Sequence, residues 1–480
     1  MHFEIVKKAK TNYDWRVILV EEGEFAAPSS LSEDVGALFT KLAAKENFSG
    51  KPGQCLRGET WDGKTLVRIV LAGYGKKTEL TREKRGAALC KALKPLHGAV
   101  LLESAEKSFL DPDALGALAE HLNYRFEKYK TAKKDKEKKE ALNLEIVDPK
   151  GAGKTPEGSK LGVISNIVRD LVNEPANNMT PAILAEEAEK LSKTYGFSCR
   201  VYNEKEIAKF GMTAFLAVGS ASAHPPRLIV LRYTGNKKEK TAVGLVGKGL
   251  CYDAGGLSIK PTASMLTMKS DMTGAATVIG VLCALAENKV PKNAVAVIAA
   301  CENVIDGAGY KPGDIVTAMN GKTIEITNTD AEGRVTLADA LTYIRHKENV
   351  SEIIDVATLT GAIMVALGEH ITGVFTNTKE NFDKLAKAGE KWGERFWNMP
   401  MDAEFAEMVK SHIADLKNSA GRWGGASSAA KFLEEFVDGK PWMHLDIAGT
   451  SFSEEGTSYY PKGATGETVK TLYSYIKDFA

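Results

Sequence analysis

The sequence predicts an α/β protein with a smaller N-terminal α/β domain at residues 1–150, a linker ending at 151–165, and a larger C-terminal domain at 166–480. The larger domain is expected to carry a mainly parallel, mixed central sheet covered by helices on both faces. Three observations predict this. Near-continuous Val/Ile/Leu runs alternate with helical patterns, as in sheets buried on both faces. The composition changes after Lys128, where a charged and then Gly/Pro/Lys-rich stretch separates two ordinary regions. A chain of 480 residues is long enough for two domains with separate cores.

In the N-terminal region the strand-like runs are Trp15–Val20, Leu66–Leu71 and Gly98–Leu102, with helical patterns at Asp34–Leu42, Leu80–Leu93 and Pro112–Phe126. No acidic pair or phosphate-binding glycine loop falls here, so this domain is expected to support or assemble. Lys133–Glu140 reads as a solvated charge run. Gly151-Ala152-Gly153-Lys154-Thr155 resembles a phosphate loop only in part, because position 148 is Asp and Pro156 would break the following helix.

Further on, strands are expected at Arg227–Arg232, Ala242–Val246, Ala294–Ala300, Glu352–Ala357 and Trp442–Ile447. Helices are expected at Pro181–Lys193, Gly274–Ala286, Val335–Ile344 and Ser428–Phe436. In sheets of this kind, sites gather in loops at the carboxyl ends of strands.

Composition narrows the function classes. Hydrophobic residues at 44% and charged residues at 26% are ordinary for a globular protein, and a net charge of +1 argues against a general nucleic-acid or membrane-surface binder. Met1–Lys8 is too charged for a secretory signal, and no window approaches ~18 apolar residues. Six cysteines without CxxC spacing suggest reduced thiols in a cytoplasmic protein.

The chemistry concentrates in strand-to-helix loops. Asn328-Thr329-Asp330-Ala331-Glu332-Gly333-Arg334 places two carboxylates and a guanidinium on what is expected to be a loop before a helix whose apolar face is Leu337, Leu341 and Ile344. A glycine-rich loop is expected at Gly247–Pro261, with Lys248, Asp253 and Lys260; Asp271 follows just before another helix, where a simple N-cap is the plain alternative. Unpaired carboxylates at this density would repel one another and raise their pKa values. Two divalent cations sharing bridging carboxylates resolve the conflict and give a two-metal hydrolytic centre. None of the eight histidines lies in these motifs, and oxygen-rich ligation suits Mn2+ or Mg2+ while admitting Zn2+.

Together these motifs resemble the cytosol (leucyl) aminopeptidase family, whose signature is similar to Asn328–Arg334 residue for residue. Further resemblance lies in Asn173–Asn177, Pro312–Ile315, Asp355–Gly361 and His444–Thr450; residues 1–150 match only in general pattern. The resemblance implies a metal-dependent aminopeptidase that removes Leu-like or Met-like residues from peptides with a free N-terminus by attack of a bridging metal-bound hydroxide. It implies that Lys248, Asp253, Asp271 and Glu332 bind one ion, and that Asp253, Asp330 with its carbonyl, and Glu332 bind the other. Lys260 would polarise the scissile carbonyl, and Arg334 would hold a bicarbonate ion as general base. Met268, Thr358, Leu359, Gly361 and Ala448 are implied to line the substrate site, and a homohexamer is implied as the assembly. Departures are small: Cys251-Tyr252 stands where Thr-Phe is common, Thr273 where Gly is usual, and Val335 where Leu is more frequent.

Two other classes compete. Paired acids also serve two-metal phosphoryl hydrolysis, although no phosphate cradle accompanies them. A DNA-binding role, which some bacterial relatives combine with peptidase activity, finds no support in the near-neutral charge beyond the lysine-rich junction.

Overall fold

The computed structural model describes residues 1–10, 12–23, 25–62, 65–76, 82–104, 110–131, 140–457 and 459–480. Residues 133–139 of the charge run and the first two positions of the expected Leu80–Leu93 helix lie outside them. The chain forms two compact units. The first comprises Met1–Asn166 with Lys391–Gly393 and Gly456–Pro461; the second comprises Ile167–Glu390, Glu394–Glu455 and Lys462–Ala480.

In the first unit the order is β1 (Phe3–Val6), β2 (Trp15–Glu21), α1 (Glu33–Lys45), β3 (Cys55–Asp62), β4 (Thr65–Gly75), α2 (Arg82–Leu93), β5 (Gly98–Ser104), α3 (Pro112–Asn123) and β6 (Leu142–Val147). The strands form one sheet ordered β1-β6-β5-β2-β4-β3, parallel except for the β3–β4 pair. Side-chain alternation divides its core in two. Val17, Leu19, Val70 and Ala72 pack with Leu89, Leu93, Leu115 and Leu118, while Ile18, Ile69 and Leu71 pack with Val35 and Phe39.

The helix α4 (Glu157–Asn173) begins in the first unit and ends in the second. The second unit continues with α5 (Pro181–Tyr195), β7 (Ser198–Tyr202), α6 (Glu204–Lys209), α7 (Thr213–Val218), β8 (Arg227–Thr234), β9 (Ala242–Asp253), α8 (Thr262–Met265), α9 (Thr273–Glu287) and β10 (Asn293–Asn303). After β11 (Ile315–Thr317) and β12 (Thr323–Glu325) come α10 (Glu332–Lys347), β13 (Val350–Ala357), α11 (Gly361–Leu367), β14 (Thr372–Thr376), α12 (Lys379–Glu390) and β15 (Phe396–Asn398). The chain closes with α13 (Ala403–Glu407), β16 (Leu416–Lys417), α14 (Gly425–Glu434), β17 (Trp442–Asp446), β18 (Phe452–Ser453), β19 (Gly463–Ala464) and α15 (Val469–Asp478). Its main sheet runs β15-β14-β17-β13-β9-β10-β8-β7. The central strands β17, β13, β9 and β10 are parallel, and antiparallel pairs flank them, so the sheet is mixed as expected.

Three local expectations need correction. The stretch from Gly247 to Asp253 is strand, not loop. Its glycines serve packing: a Cβ on Gly247 would lie 2.7 Å from Ala275 Cα, and one on Gly274 would lie 2.0 Å from Val356 O, so α9 starts directly against the strands. Glu332 is the first residue of α10 instead of a loop residue, where its negative charge suits the helix N-terminus. The helix α10 also lacks a single buried face, because every residue from Glu332 to Ile344 is buried. A helix enclosed by protein has no solvent face to select for polarity.

Candidate metal and active site

The strand β9 delivers Lys248 in its middle and Asp253 at its end. Lys248 is 3% exposed; its Nζ lies 2.9 Å from Asp271 Oδ2 and 3.0 Å from Glu332 Oε1, and donates to Thr358 O at 2.9 Å. Gly333 makes room for it, since a Cβ there would stand 2.5 Å from Lys248 Cε and 2.6 Å from Nζ.

Asp253 Oδ1 accepts from Gly255 N at 2.8 Å and from Asn303 Nδ2 at 2.8 Å, while Oδ2 faces Lys260 Nζ at 2.9 Å. The same ammonium lies 2.5 Å from Asp330 Oδ1. Gly255 turns the chain at φ +87°, and a side chain there would meet Asp330 Oδ1 at 2.9 Å.

Asp271 follows a short 3-10 turn, Met268–Ser270, and is not an N-cap. The helix α9 is preceded by Met272 without a side-chain cap, and Asp271 Oδ1 accepts from Thr358 Oγ1 at 2.6 Å. The loop carrying Asp330 is stitched in place: Asn303 Nδ2 and Tyr310 Oη both donate to Thr329 O at 2.9 Å, Thr329 Oγ1 donates to Gly255 O at 2.6 Å, and Asn418 Nδ2 donates to Asn328 O at 2.7 Å.

The five expected metal ligands and Lys260 thus converge, and ligand atoms of Asp253, Asp330 and Glu332 all lie within 4.8 Å of one another. The donor set fits hard divalent cations. Asp271 Oδ2, Asp330 Oδ1 and Glu332 Oε2 are buried without a hydrogen-bond partner, although the first two lie at ion-pair distance from Lys248 and Lys260. Buried acceptors left in this state are what a bound cation satisfies.

The charges are strongly interdependent. Burial, with Glu332 and Asp271 adding to it, pushes Asp253 up to about 7. Burial likewise raises Asp271 to about 6 against the pull of Lys248. Burial opposes the charge on Glu332, yet Lys248 and Lys260 hold its pKa below the usual value. Both lysines would be lowered by burial; the carboxylates around them outweigh it and keep the ammoniums charged.

Arg334, in the first turn of α10, is buried with Nε lacking a partner, and burial lowers its pKa to about 10 despite Glu332 and Asp446. No carboxylate lies within ion-pair distance of its guanidinium among the described residues. That leaves planar donors fit for a small oxyanion.

The expected substrate residues are less uniform. Thr358 and Leu359 are half-buried after β13, Gly361 is exposed at the start of α11, and Ala448 is half-buried after β17. Leu359 N and Ala448 N both donate to Asp446 Oδ1, at 3.1 and 3.3 Å, which brings their loops together. Met268 is half-buried at the head of the turn leading to Asp271.

Sequence reasoning missed Asn303, Tyr310 and Asn418, and gave no role to Thr329, Asp446 or the fully buried pair of His444 Nδ1 and Asp355 Oδ1 at 2.6 Å, although these four lie in the quoted motifs. Trp442 Nε1 donates to Asp355 Oδ2 at 2.7 Å, and His444 Nε2 is buried without a partner. Uncharged residues at strand ends carry no motif of their own; the nearest signal was the alternation Trp442-x-His444-x-Asp446 on one face of an expected strand.

Comparisons with known proteins point the same way. The model of the cytosol aminopeptidase family catalytic domain matches residues 166–473, and that of the family's N-terminal domain matches 17–133. A probable cytosol aminopeptidase of Fusobacterium nucleatum is 48% identical, over 100% of this chain and 99% of its own length. Among solved structures, a tomato leucine aminopeptidase superposes with a TM-score of 0.87 at 34% identity, covering 99% of this chain and 96% of that one. The bottromycin maturation enzyme BotP, solved in complex with Mn, gives a TM-score of 0.85 at 31% identity over 97% of this chain and 99% of that one. With both domains matched and a relative 48% identical over the whole of this chain, the chain belongs to the cytosol aminopeptidase family.

Proposed function

We propose that this metallo-aminopeptidase removes Leu-like or Met-like residues from the free N-terminus of small peptides, using two divalent ions per subunit and a bicarbonate-class anion. Mn2+ is the first candidate metal, with Zn2+ or Mg2+ as alternatives. The observation that carries the reading is the convergence of Asp253, Asp330 and Glu332 with Lys248, Asp271 and Lys260, together with buried carboxylate oxygens that lack hydrogen bonds.

Lys248, Asp253, Asp271 and Glu332 would hold one ion; Asp253, Asp330 and Glu332, with the Asp330 carbonyl, would hold the other. When bound, these ions supply Lewis acidity and a water acidified into the neutral range. The chain's own groups do the rest. The Leu359 carbonyl would lie near the substrate's free α-amine, whose requirement restricts cleavage to N-termini. Lys260 holds a fixed positive charge between Asp253 and Asp330, where it offsets negative charge developing on the scissile carbonyl oxygen. Arg334 would hold the anion, whose chemistry is that of a general base. Met268, Thr358, Leu359, Gly361 and Ala448 shape the side-chain pocket. Residues 1–150 would support assembly, with a homohexamer as the proposed state and the cytoplasm as the proposed location. No helix among the described residues is long and apolar enough to cross a membrane.

The test is hydrolysis of Leu-p-nitroanilide by the full chain after Mn2+ is added, with N-acetyl-Leu-p-nitroanilide and p-nitrophenyl phosphate alongside. Turnover of the free-amine substrate alone is the expected result. Equal cleavage of the blocked substrate, or of the phosphate ester in its place, overturns the reading.

A further inference from the structure

The parallel strands β13 and β17 end side by side, with Ala357 opposite Asp446. The last side chain of β17 therefore falls against the loop leaving β13. Asp446 is 1% exposed. Its Oδ1 accepts from Leu359 N at 3.1 Å, Thr360 N at 3.4 Å and Ala448 N at 3.3 Å, and its Oδ2 accepts from Thr360 Oγ1 at 2.6 Å. Thr360 Oγ1 in turn accepts from Ile363 N at 3.1 Å, which caps α11. One carboxylate thus joins the loops after β13 and β17, two of the three segments that carry candidate pocket residues.

The same segment is fastened on its other side to the candidate metal ligands. Thr358 O accepts from Lys248 Nζ at 2.9 Å, and Thr358 Oγ1 donates to Asp271 Oδ1 at 2.6 Å. A buried carboxylate is costly unless it is paired and hydrogen-bonded. Burial raises the Asp446 pKa above the ordinary carboxylate value, and the four donors with the positive charge of His444 offset part of that cost.

Resting on the aminopeptidase reading above, we propose that Asp446 is the positioning residue for side-chain selectivity: it locks Thr358, Leu359 and Ala448 into one register against Lys248 and Asp271. It touches no reacting atom in this role. It acts through the two loops that it joins.

The chemistry of the side chain separates geometry from charge. In Asp446→Asn, Oδ1 still accepts from the backbone N–H groups, and the amide can donate to Thr360 Oγ1, which then accepts from two donors. Asp446→Ala removes the clamp altogether. The measurement is the ratio of kcat/KM for Leu-p-nitroanilide to that for Ala-p-nitroanilide in the Mn2+-loaded full chain. The ratio is independent of the fraction of protein folded, so a merely structural role leaves it unmoved.

Asp446→Ala is expected to lower the ratio by about tenfold, the scale that pocket fit supplies, while Asp446→Asn keeps it within about threefold. Thr360→Val, which deletes only the hydroxyl, should lower it in the same direction by less. An unchanged ratio in an active Asp446→Ala overturns the proposal, as does an Asn variant as unselective as the Ala variant. If Asp446→Ala does not fold, an unchanged ratio in Thr360→Val overturns it instead. Absence of turnover of either substrate by the unmutated protein would sink the aminopeptidase reading, a distinct outcome.

Discussion

Lys260 is the residue whose removal separates holding an ion from using it. Its ammonium lies between Asp253 Oδ2 and Asp330 Oδ1, so it competes with any cation for those oxygens, and in the proposed mechanism it would offset negative charge on a substrate oxygen. Lys260→Ala should therefore bind Mn2+ at least as tightly by calorimetry, yet lose about 10²–10³ in kcat, the scale of a lost oxyanion donor. Full activity would remove Lys260 from the proposed mechanism. Glu332→Ala should lose both properties, because Glu332 pairs with Lys248 and is one of the three mutually close carboxylates. Gly333→Ala is subtler. Its Cβ would press on the end of Lys248, a side chain that is buried and held by Asp271, Glu332 and Thr358 O, so it has nowhere cheap to move. Weaker Mn2+ binding with a preserved circular dichroism spectrum is expected. At this scale the charged residues were legible because several acids and lysines crowd predicted strand ends, where solvation alone explains them poorly. Asn303 was not, since an asparagine reads as an ordinary turn residue until its Nδ2 is seen joining Asp253 to Thr329 O.

The elements tell which patterns survive tertiary packing. The strands β8, β10 and β13 and the helices α5 and α9 were readable as apolar runs or periodic stretches, because burial of whole elements leaves that trace. The glycine-rich half of β9 was not, because its glycines answer to the close approach of α9 and not to a turn. Short edge strands such as β1 and β15, at four and three residues, are beyond what alternation can reveal. The pair β13–β17 carries a consequence of its own. Burial would lower the pKa of His444, but Asp355 at 2.6 Å outweighs it and raises it above 6.5. The folded state therefore holds this proton more tightly than the unfolded chain, and the pair's stabilisation is fully present below about pH 6.5 and fades as pH rises through the folded-state value. His444→Leu should cost about 3–5 kcal/mol at low pH by stranding Asp355 with Trp442 alone. In urea denaturation from about pH 6 to about pH 9, the difference between the unmutated chain and this variant should shrink with rising pH. A difference that grows with pH would show that His444 is neutral in the fold.

For the whole molecule, the proposed metal-site residues all lie within the second of the two compact units, on β9, on the turn before α9 and at the head of α10. That segregation predicts where an ion is felt. Burial first, and the neighbouring carboxylates after it, raise the pKa values of Asp253 and Asp271 and so make their charged forms costly. A divalent ion that binds only the folded arrangement relieves the cost and stabilises by mass action, by about 2.7 kcal/mol at a hundredfold excess over its Kd. The protection should follow the connections of the site, not distance along the chain. Amide exchange is expected to slow in peptides covering Lys248–Lys260, Met268–Thr273, Thr327–Gly333 and Val356–Gly361, since Asn303, Thr329 and Thr358 couple these stretches to one another. Peptides covering β2 and β5 of the first unit, whose cores form without any of these groups, should exchange at the same rate with and without Mn2+. Hydrogen-exchange mass spectrometry of the full chain, with Mn2+ and then with excess chelator, makes the comparison. Uniform protection across both units would mean that the ion acts on the fold as a whole, and slowed exchange confined to the first unit would place the metal elsewhere than among Lys248, Asp253, Asp271, Asp330 and Glu332.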